Sequence, residues 1–494
     1  MNIQGEVMRL KQIYISVLYT TLMLGASTFV AHASLINPHE AGNEKIVSVY
    51  LLIDNAEQLQ QYVDDLTKLR KANFNRVIFS FVRPTLIDYQ TGSLADTGIL
   101  GYFTDHDGKG AQAFNALKAA IKLSKEKKIQ TFLSVGGWNY SCNFDEVQES
   151  CGPRPAAGNQ FLYDWFPDPT DPDQASKAKT SYANIVKLAN DLGVDGIDFD
   201  YEEFWHADQY ALNWGPSSGG EWSTDIAQRI LNAGGATYNN LMKYGINSGS
   251  SYVMPKTIDK VDAILHEIMD DPGAKYLKFA VAAAPGGARP ITGFVYGDKF
   301  PDIYTKGGLW WKGNLKGLWY NLINKDEALA SRFDSMGVMT YDLCGDNPVV
   351  CAPYADGPLD LPGQVSAYMK DYTNWLKAES ESKPSLTIDN IGKVTFLPAK
   401  YNINTKIQFG FQVNQPAYPK NVNGQLQLTN QLVNKILDQQ KDSGGVIIWQ
   451  MYSKQNTAVP DATTVKYTIS QSCKTFLAND NRYDCDADFP SVPK

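Results

Sequence analysis

The amino-acid sequence predicts an α/β protein, an eight-stranded parallel (β/α)8 barrel of the TIM type, on two observations. Eight apolar runs rich in β-branched and aromatic residues recur along the chain, and helical periodicities stand between several of them. Each run is nearly continuous in hydrophobicity, as expected of a strand covered on both faces. The competing architecture, a doubly wound sheet, has no Gly-rich dinucleotide fingerprint after its first strand and no phosphate-binding loop in its favour.

The runs are Ile46–Ile53, Arg76–Val82, Gln130–Val135, Gly196–Tyr201, Leu277–Ala283, Ser335–Tyr341, Lys406–Val413 and Gly445–Met451. Leu59, Tyr62, Val63, Leu66 and Leu69 lie on one helical stripe, and Phe114, Leu117, Ile121 and Leu123 on a second. Tyr182, Ile185, Val186 and Ala189 repeat the pattern, as do Leu432, Val433, Ile436 and Leu437. The spacing between strands exceeds that of a plain barrel, and the surplus lies after the fourth and fifth runs. Barrel insertions sit mainly in the loops that follow strands, on the catalytic face. These segments hold Trp205, Trp214, Trp222, Trp310, Trp311 and Trp319, which predicts a deep aromatic cleft. No linker, repeat or low-complexity tract divides the chain. The expected domains are a leader over residues 1–33, a catalytic barrel over 34–470 and a tail over 471–494.

The leader is read from Arg9 and Lys11, the uncharged apolar run Ile13–Val30, and the small-x-small site Ala31-His32-Ala33. The alternative is an N-terminal membrane anchor, because the run nearly reaches spanning length. Export, with a mature chain beginning near Ser34 and no membrane association after cleavage, is the expectation. The cysteines agree: Cys142 with Cys151, Cys344 with Cys351 and Cys473 with Cys485 form three close sequence pairs, the pattern of disulfides in an exported chain. None has C-x-x-C spacing, and the histidines after the leader, His39, His106, His206 and His266, are scattered, so no metal and no cofactor are expected. A formal net charge of −8 argues against a nucleic-acid or anionic-membrane partner. Aromatic residues make up 12% of the chain, and many stand in polar, Gly-rich segments, which suits a polymer with apolar faces such as a polysaccharide. A monomer is expected.

The chemistry is concentrated in Asp195-Gly196-Ile197-Asp198-Phe199-Asp200-Tyr201-Glu202. Side chains alternate along a strand, so Asp198, Asp200 and Glu202 share the face that points into the barrel, and Ile197, Phe199 and Tyr201 share the other. Burying carboxylates is expensive, and the chain offers no metal-binding loop to compensate them. Carboxylates this close do not all ionise, so at least one holds a proton near neutral pH. A proton shared by Asp198 and Asp200 would leave Glu202 to keep its own. A protonated carboxyl in a cleft is what a general acid needs to expel a sugar alcohol, so the strand itself points to glycoside hydrolysis.

Asp195–Glu202 resembles the Asp-x-x-Asp-x-Asp-x-Glu signature of glycoside hydrolase family 18, the chitinase family. Ser134-Val135-Gly136-Gly137-Trp138, Met339-Thr340-Tyr341-Asp342 and Trp449 resemble, in order, that family's segments on the third, sixth and eighth strands. The resemblance implies a secreted chitinase with chitin or chito-oligosaccharides as substrate. It makes Glu202 the acid, and the substrate's own 2-acetamido oxygen the nucleophile, outside the two-carboxylate scheme. It makes Asp200 the residue that orients the acetamide, Asp198 its tuner and Tyr341 a hydrogen-bond donor to the acetamide oxygen. Asp342 and Met339 line the same pocket, Trp449 is the floor under the reacting sugar, and Trp138 stacks on a distal sugar or packs against a loop. Ser134 and the two glycines are read as structural, and Asp195, on the opposite parity, as serving the fold. The resemblance also implies non-proline cis peptides, with Ser80–Phe81 and Trp449–Gln450 as candidates. The sequence departs from the family where many members insert a small α+β domain between strands seven and eight. Only Asn414–Gly444 lies there, largely taken by a helix over Gln425–Gln440. Other readings of the same strand are an endo-β-N-acetylglucosaminidase acting on N-glycans, and a chitin-binding lectin or toxin-complex subunit. Intact Glu202 argues against the lectin.

Overall fold

The computed structural model describes residues 44–53, 55–99, 108–137, 140, 165–202, 255–288, 318–341, 343, 360–376, 385–388, 392–395, 405–414, 427–454 and 461–491. Eight parallel strands close into a barrel: β1 (Ile46–Leu52), β2 (Arg76–Val82), β3 (Gln130–Gly136), β4 (Gly196–Asp200), β5 (Lys278–Ala283), β6 (Phe333–Val338), β7 (Lys406–Gln412) and β8 (Gly445–Trp449). β1 pairs with both β2 and β8, which completes the ring. Each strand lies within one of the eight apolar runs or overlaps it closely. The sixth differs most. It starts at Phe333 and stops at Val338, because Met339 still donates its N–H to Ala283 while the amides of Thr340 and Tyr341 turn back to Val338 and Met339.

Helices flank the barrel: α1 (Ala56–Lys68), α2 (Gly110–Glu126), α3 (Ala175–Leu192), α4 (Pro255–Met269), α5 (Leu318–Lys325), α6 (Leu361–Leu376), α7 (Asn430–Gln439) and α8 (Val465–Phe476). The four periodic stripes fall on α1, α2, α3 and α7. Their starts and ends follow local chemistry: Asn55 accepts the Gln58 amide at the start of α1, Thr429 accepts that of Leu432 at α7, and Gly193 ends α3 in the left-handed conformation. Between β7 and β8, α7 is the only helix or strand among the described residues. A small antiparallel hairpin, Ser385–Ile388 with Gly392–Thr395, instead precedes β7. Among the described residues no helix is long and apolar enough to cross a membrane.

Two apolar cores result. The larger lies between strands and helices and contains Ile197, Phe199 and Tyr201. The smaller fills the barrel with Tyr50, Ile78, Phe132, Ala280, Ala282, Met339, Tyr341 and Ile447, with Trp449 against it. Trp319 corrects the aromatic-cleft expectation. It is 1% exposed, packed edge-on to Phe333 in the outer core, because α5 uses it to seal the helical layer. The other tryptophans of those insertions lie outside the described residues.

The end of the chain is built into the barrel. α8 spans position 470 and carries Cys473, which is disulfide-bonded to Cys485 as the spacing predicts. The following segment returns to α1 and β2. Phe489 is fully buried between Tyr62 and Phe74, Asp484 donates its amide to Ala72, and Ser491 donates both its amide and its hydroxyl to Asp65. Cys142, Cys151, Cys344 and Cys351 lie outside the described residues. Both Ser80–Phe81 and Trp449–Gln450 are cis.

Candidate active site

The three carboxylates of β4 and its C-terminal extension converge inside the mouth of the barrel, and all are buried. β4 ends at Asp200, so Glu202 stands two residues beyond the strand, on the extended segment that continues its alternation. Tyr201, between them, points outward against Phe166 and Phe199. The parity read from the sequence holds across the whole octet. Asp195 accepts from the amide and hydroxyl of Thr131 and pairs with Lys125 at 2.8 Å, outside the barrel interior.

Asp198 is held from two sides. Tyr50 Oη donates to its Oδ2 from β1 at 3.0 Å, and Ser134 Oγ donates to the same oxygen from β3 at 2.7 Å. Burial pushes the Asp198 carboxyl up to about 6, and these two hydrogen bonds oppose the rise by favouring the charged form. Asp200 is pushed well above the ordinary carboxylate range, first by burial and then by the charges of Glu202 and Asp198. A hydrogen bond to Glu202 raises it further. Tyr50 and Ser134 supply Asp198 with donors of its own.

The neighbours of Asp200 are the smallest available. In register, it lies between Gly136 on β3 and Ala282 on β5. Gly136 has φ +104°, and a Cβ there would stand 2.2 Å from the Asp200 carbonyl oxygen. Gly137 then donates its N–H to that same oxygen at 2.8 Å. The glycine pair is therefore structural, as read, and what it shapes is the backbone of Asp200.

Trp449 ends β8 on the inward parity, stacked on Phe81 with ring centroids 5.6 Å apart and edge-on to Tyr50 at 5.7 Å. It is half-buried, with one region of its surface open at the mouth. Tyr341 packs over Gly410, whose missing side chain leaves room for the ring. Thr340 anchors that segment by bonding both the N–H and the C=O of Gly410. Met339 joins the same interior cluster. Glu202, Asp200, Asp198, Tyr341, Met339 and Trp449 are thus brought to one end of the barrel. Asp342 and Trp138 lie outside the described residues.

Sequence reasoning missed Tyr50 and gave Ser134 only a structural role. Their signal was parity: each is a hydroxyl on the inward face of its strand. The register that sets Ser134 opposite Asp198 becomes visible only in the folded barrel.

Residues 49–247, which include β2, β3 and β4 entirely, match the sequence model of Glycosyl hydrolases family 18. The chain thus resembles that family over β2 to β4. It is similar in structure to a family 18 chitinase from Pseudoalteromonas aurantia, at 13% identity and a TM-score of 0.40, covering 86% of this chain and 99% of that one. Similarity to the Group IV chitinase of Ostrinia furnacalis is at 10% identity and a TM-score of 0.42, covering 88% and 100%. The PgaB (BpsB) glycoside hydrolase domain of Bordetella bronchiseptica aligns at 12% identity and a TM-score of 0.38, covering 82% and 94%. The family match supports a glycoside hydrolase enzyme, and the carboxylates stand at the C-terminal end of β4, where barrel chemistry is done.

Proposed function

We propose that this enzyme is a chitinase that cleaves β-1,4-linked N-acetylglucosamine polymers by substrate-assisted catalysis with retention of configuration. The observation that carries the reading is the group of buried carboxylates at the barrel mouth, where burial and the charges of Glu202 and Asp198 push Asp200 well above the ordinary carboxylate range. In this reading Asp200 and Glu202 share a proton, which Glu202 delivers to the glycosidic oxygen as the bond to the anomeric carbon breaks. The 2-acetamido oxygen of the sugar on the non-reducing side attacks the anomeric carbon and closes an oxazolinium ring. Asp200, relieved of its shared proton, accepts the acetamide N–H and stabilises the positive ring. Ala282, the small residue level with it on β5, leaves space for the acetamide. Asp198, tied to Tyr50 and Ser134, supplies negative charge behind Asp200, and Tyr341 donates to the acetamide oxygen. Trp449 forms the apolar floor under the reacting sugar, and Met339 and Asp342 line the pocket. Water, deprotonated by Glu202, then opens the ring from the opposite face.

The test compares colloidal chitin with fully deacetylated chitosan, cellulose and a high-mannose glycoprotein. Chitin cleavage with a β-anomer product by NMR, and no turnover of chitosan or cellulose, is expected. Comparable turnover of chitosan would make a protein carboxylate the nucleophile. Glycan release from the glycoprotein without chitin cleavage would move the substrate to N-glycans. We also read residues 1–33 as an export leader, which N-terminal sequencing of the protein recovered from outside the cytoplasm tests by a start near Ser34.

A further inference from the structure

The barrel floor holds a charge that the reaction scheme above does not use. Arg76, the first residue of β2, is 1% exposed and lies inside the barrel. Its guanidinium donates to Gln130 on β3, and to Asp334 and Ser335 on β6, bridging the floor. It stacks beneath the ring of Phe132 at 4.1 Å. Phe132 pairs in register with Gly196, and the next inward pair above it is Ser134 with Asp198. The order along the barrel axis is therefore Asp334, Arg76, Phe132, Asp198.

We propose that Arg76 is a positioning residue for catalysis that holds Asp198 in its charged form from the opposite end of the barrel. The proposal rests on the reading in which Asp198 supports Asp200.

The ion pair on the floor is lopsided. Asp334, 26% exposed, reaches solvent and also pairs with Lys278 at 3.6 Å, whereas Arg76 is sealed inside. Solvent screens the anion and leaves the cation unscreened, so the pair acts as a dipole with its positive end toward the carboxylates. Strand rise of ~3.3 Å per residue and the 4.1 Å stack set Arg76 roughly 10 Å below Asp198. Between them stands an aromatic ring, with no ion to screen the field. Among the described residues, the groups around Asp198 provide no rival cation. β1 offers Tyr50, β3 Ser134 and β5 Ala280, β4 itself carries Asp200, and the chain after β4 and β6 brings Glu202 and Tyr341. In agreement, the Arg76 charge acts on Asp198 in the same direction as its two hydrogen bonds.

The test reads Asp198 in the ligand-free protein by carboxyl 13C titration after labelling with [4-13C]aspartate, its resonance identified by loss in Asp198→Asn. In Arg76→Met the midpoint rises by about one pH unit, the size of a Coulomb interaction over this distance at an effective dielectric near 20. In Arg76→Lys, which keeps the charge, it stays near the wild-type value. The acid limb of kcat/KM moves with the midpoint, whereas a merely structural role lowers activity evenly across pH. Should Arg76→Met fail to fold, Arg76→Gln, which removes the charge and keeps an amide donor for the floor, gives the same rise. An unmoved Asp198 midpoint in a folded Arg76→Met or Arg76→Gln overturns the proposal. Failure to cleave chitin overturns the functional reading alone, because the titration needs no substrate.

Discussion

Tyr50 and Asp198 meet across the mouth of the barrel, hydroxyl to carboxylate at 3.0 Å, although β1 and β4 are not neighbouring strands. The β5 residue level with Asp198 is Ala280, whose small side chain leaves the interior open between them. Burial lifts the Tyr50 phenol well above its ordinary pKa, and the negative charge of Asp198 adds to the rise, so Tyr50 stays a donor throughout the working range. Asp198 thereby has a donor shell of its own, while burial and the charges of Glu202 and Asp198 raise Asp200.

The donor shell predicts a pH effect with a definite sign. Tyr50 and Ser134 bond the charged form of Asp198 and lower its pKa, so removing either raises it. A hydrogen bond to a charged group is worth about 1.5–3 kcal/mol, or roughly one to two pH units. Tyr50→Phe and Ser134→Ala should each move the acid limb of kcat/KM upward by about one unit from its wild-type position, and the double variant further. A pH–rate profile measures this directly. Lower activity with the limb unmoved would mean that the two hydroxyls pack the site without tuning it.

Glu202 carries the proton aimed at the leaving group in the proposed mechanism. Glu202→Gln keeps the shape of the side chain and its ability to hydrogen-bond Asp200, but has no acidic proton. The expected result is a fall in kcat of at least ~10²-fold. Affinity for chito-oligosaccharide, by calorimetry, should persist, because stacking on Trp449 is untouched. Turnover near wild type would remove Glu202 from the role of acid.

The barrel and the carboxylate triad were legible because both depend on short-range pattern. Near-continuous apolar runs announced the strands, and strict alternation along residues 195–202 fixed which acids face inward. What alternation along one strand cannot show is who stands opposite. The pairing of Ser134 with Asp198 and the flanking of Asp200 by Gly136 and Ala282 follow from inter-strand register, and the Tyr50 contact from barrel closure. Trp319 shows the same limit in a helix: a tryptophan in a long insertion reads as cleft, yet α5 turns it into the core. The C-terminal segment was legible as a disulfide loop from its cysteines. Its docking on α1 and β2 was not, since those partners lie at the other end of the chain.

That docking predicts a stability effect far from the catalytic mouth. Phe489 is fully buried and stacks on Phe74 at 5.1 Å, with Tyr62 edge-on beside it. Truncating a buried phenylalanine to alanine removes its apolar burial and leaves a cavity, together about 3–5 kcal/mol. Phe489→Ala should therefore lower the urea midpoint of the whole barrel. Cys473→Ser with Cys485→Ser should lower it by less, about 2–3 kcal/mol for so short a closed loop. If Phe489→Ala leaves global unfolding unchanged, the C-terminal segment does not unfold with the barrel and serves only as a cover.

His266 offers a prediction in which pH changes the stability of the outer helical layer. On α4, its Nδ1 meets Asp270 and its Nε2 meets Asp326 beyond α5, each at 2.7 Å, and Asp270 also pairs with Arg332. The hydrogen bond to Asp270 is the main cause that raises the His266 pKa above its ordinary value, and Asp326 adds to it. Both carboxyls are lowered in return. A raised histidine stabilises the fold fully below its unfolded pKa, about 6.5, and that contribution is lost as pH rises through the higher folded value. The lowered carboxyls act from the other side, stabilising above about 3.8 and losing their effect as pH falls through their depressed folded values. The network therefore contributes most between these limits. Because His266 is half exposed, solvent screens much of the interaction, and the effect is modest. Urea unfolding of wild type and His266→Gln should differ most near pH 5.5 and converge by pH 8.5, where neutral imidazole and glutamine are alike in charge. A difference that is constant across this range would assign His266 to packing, with its two aspartates as bystanders.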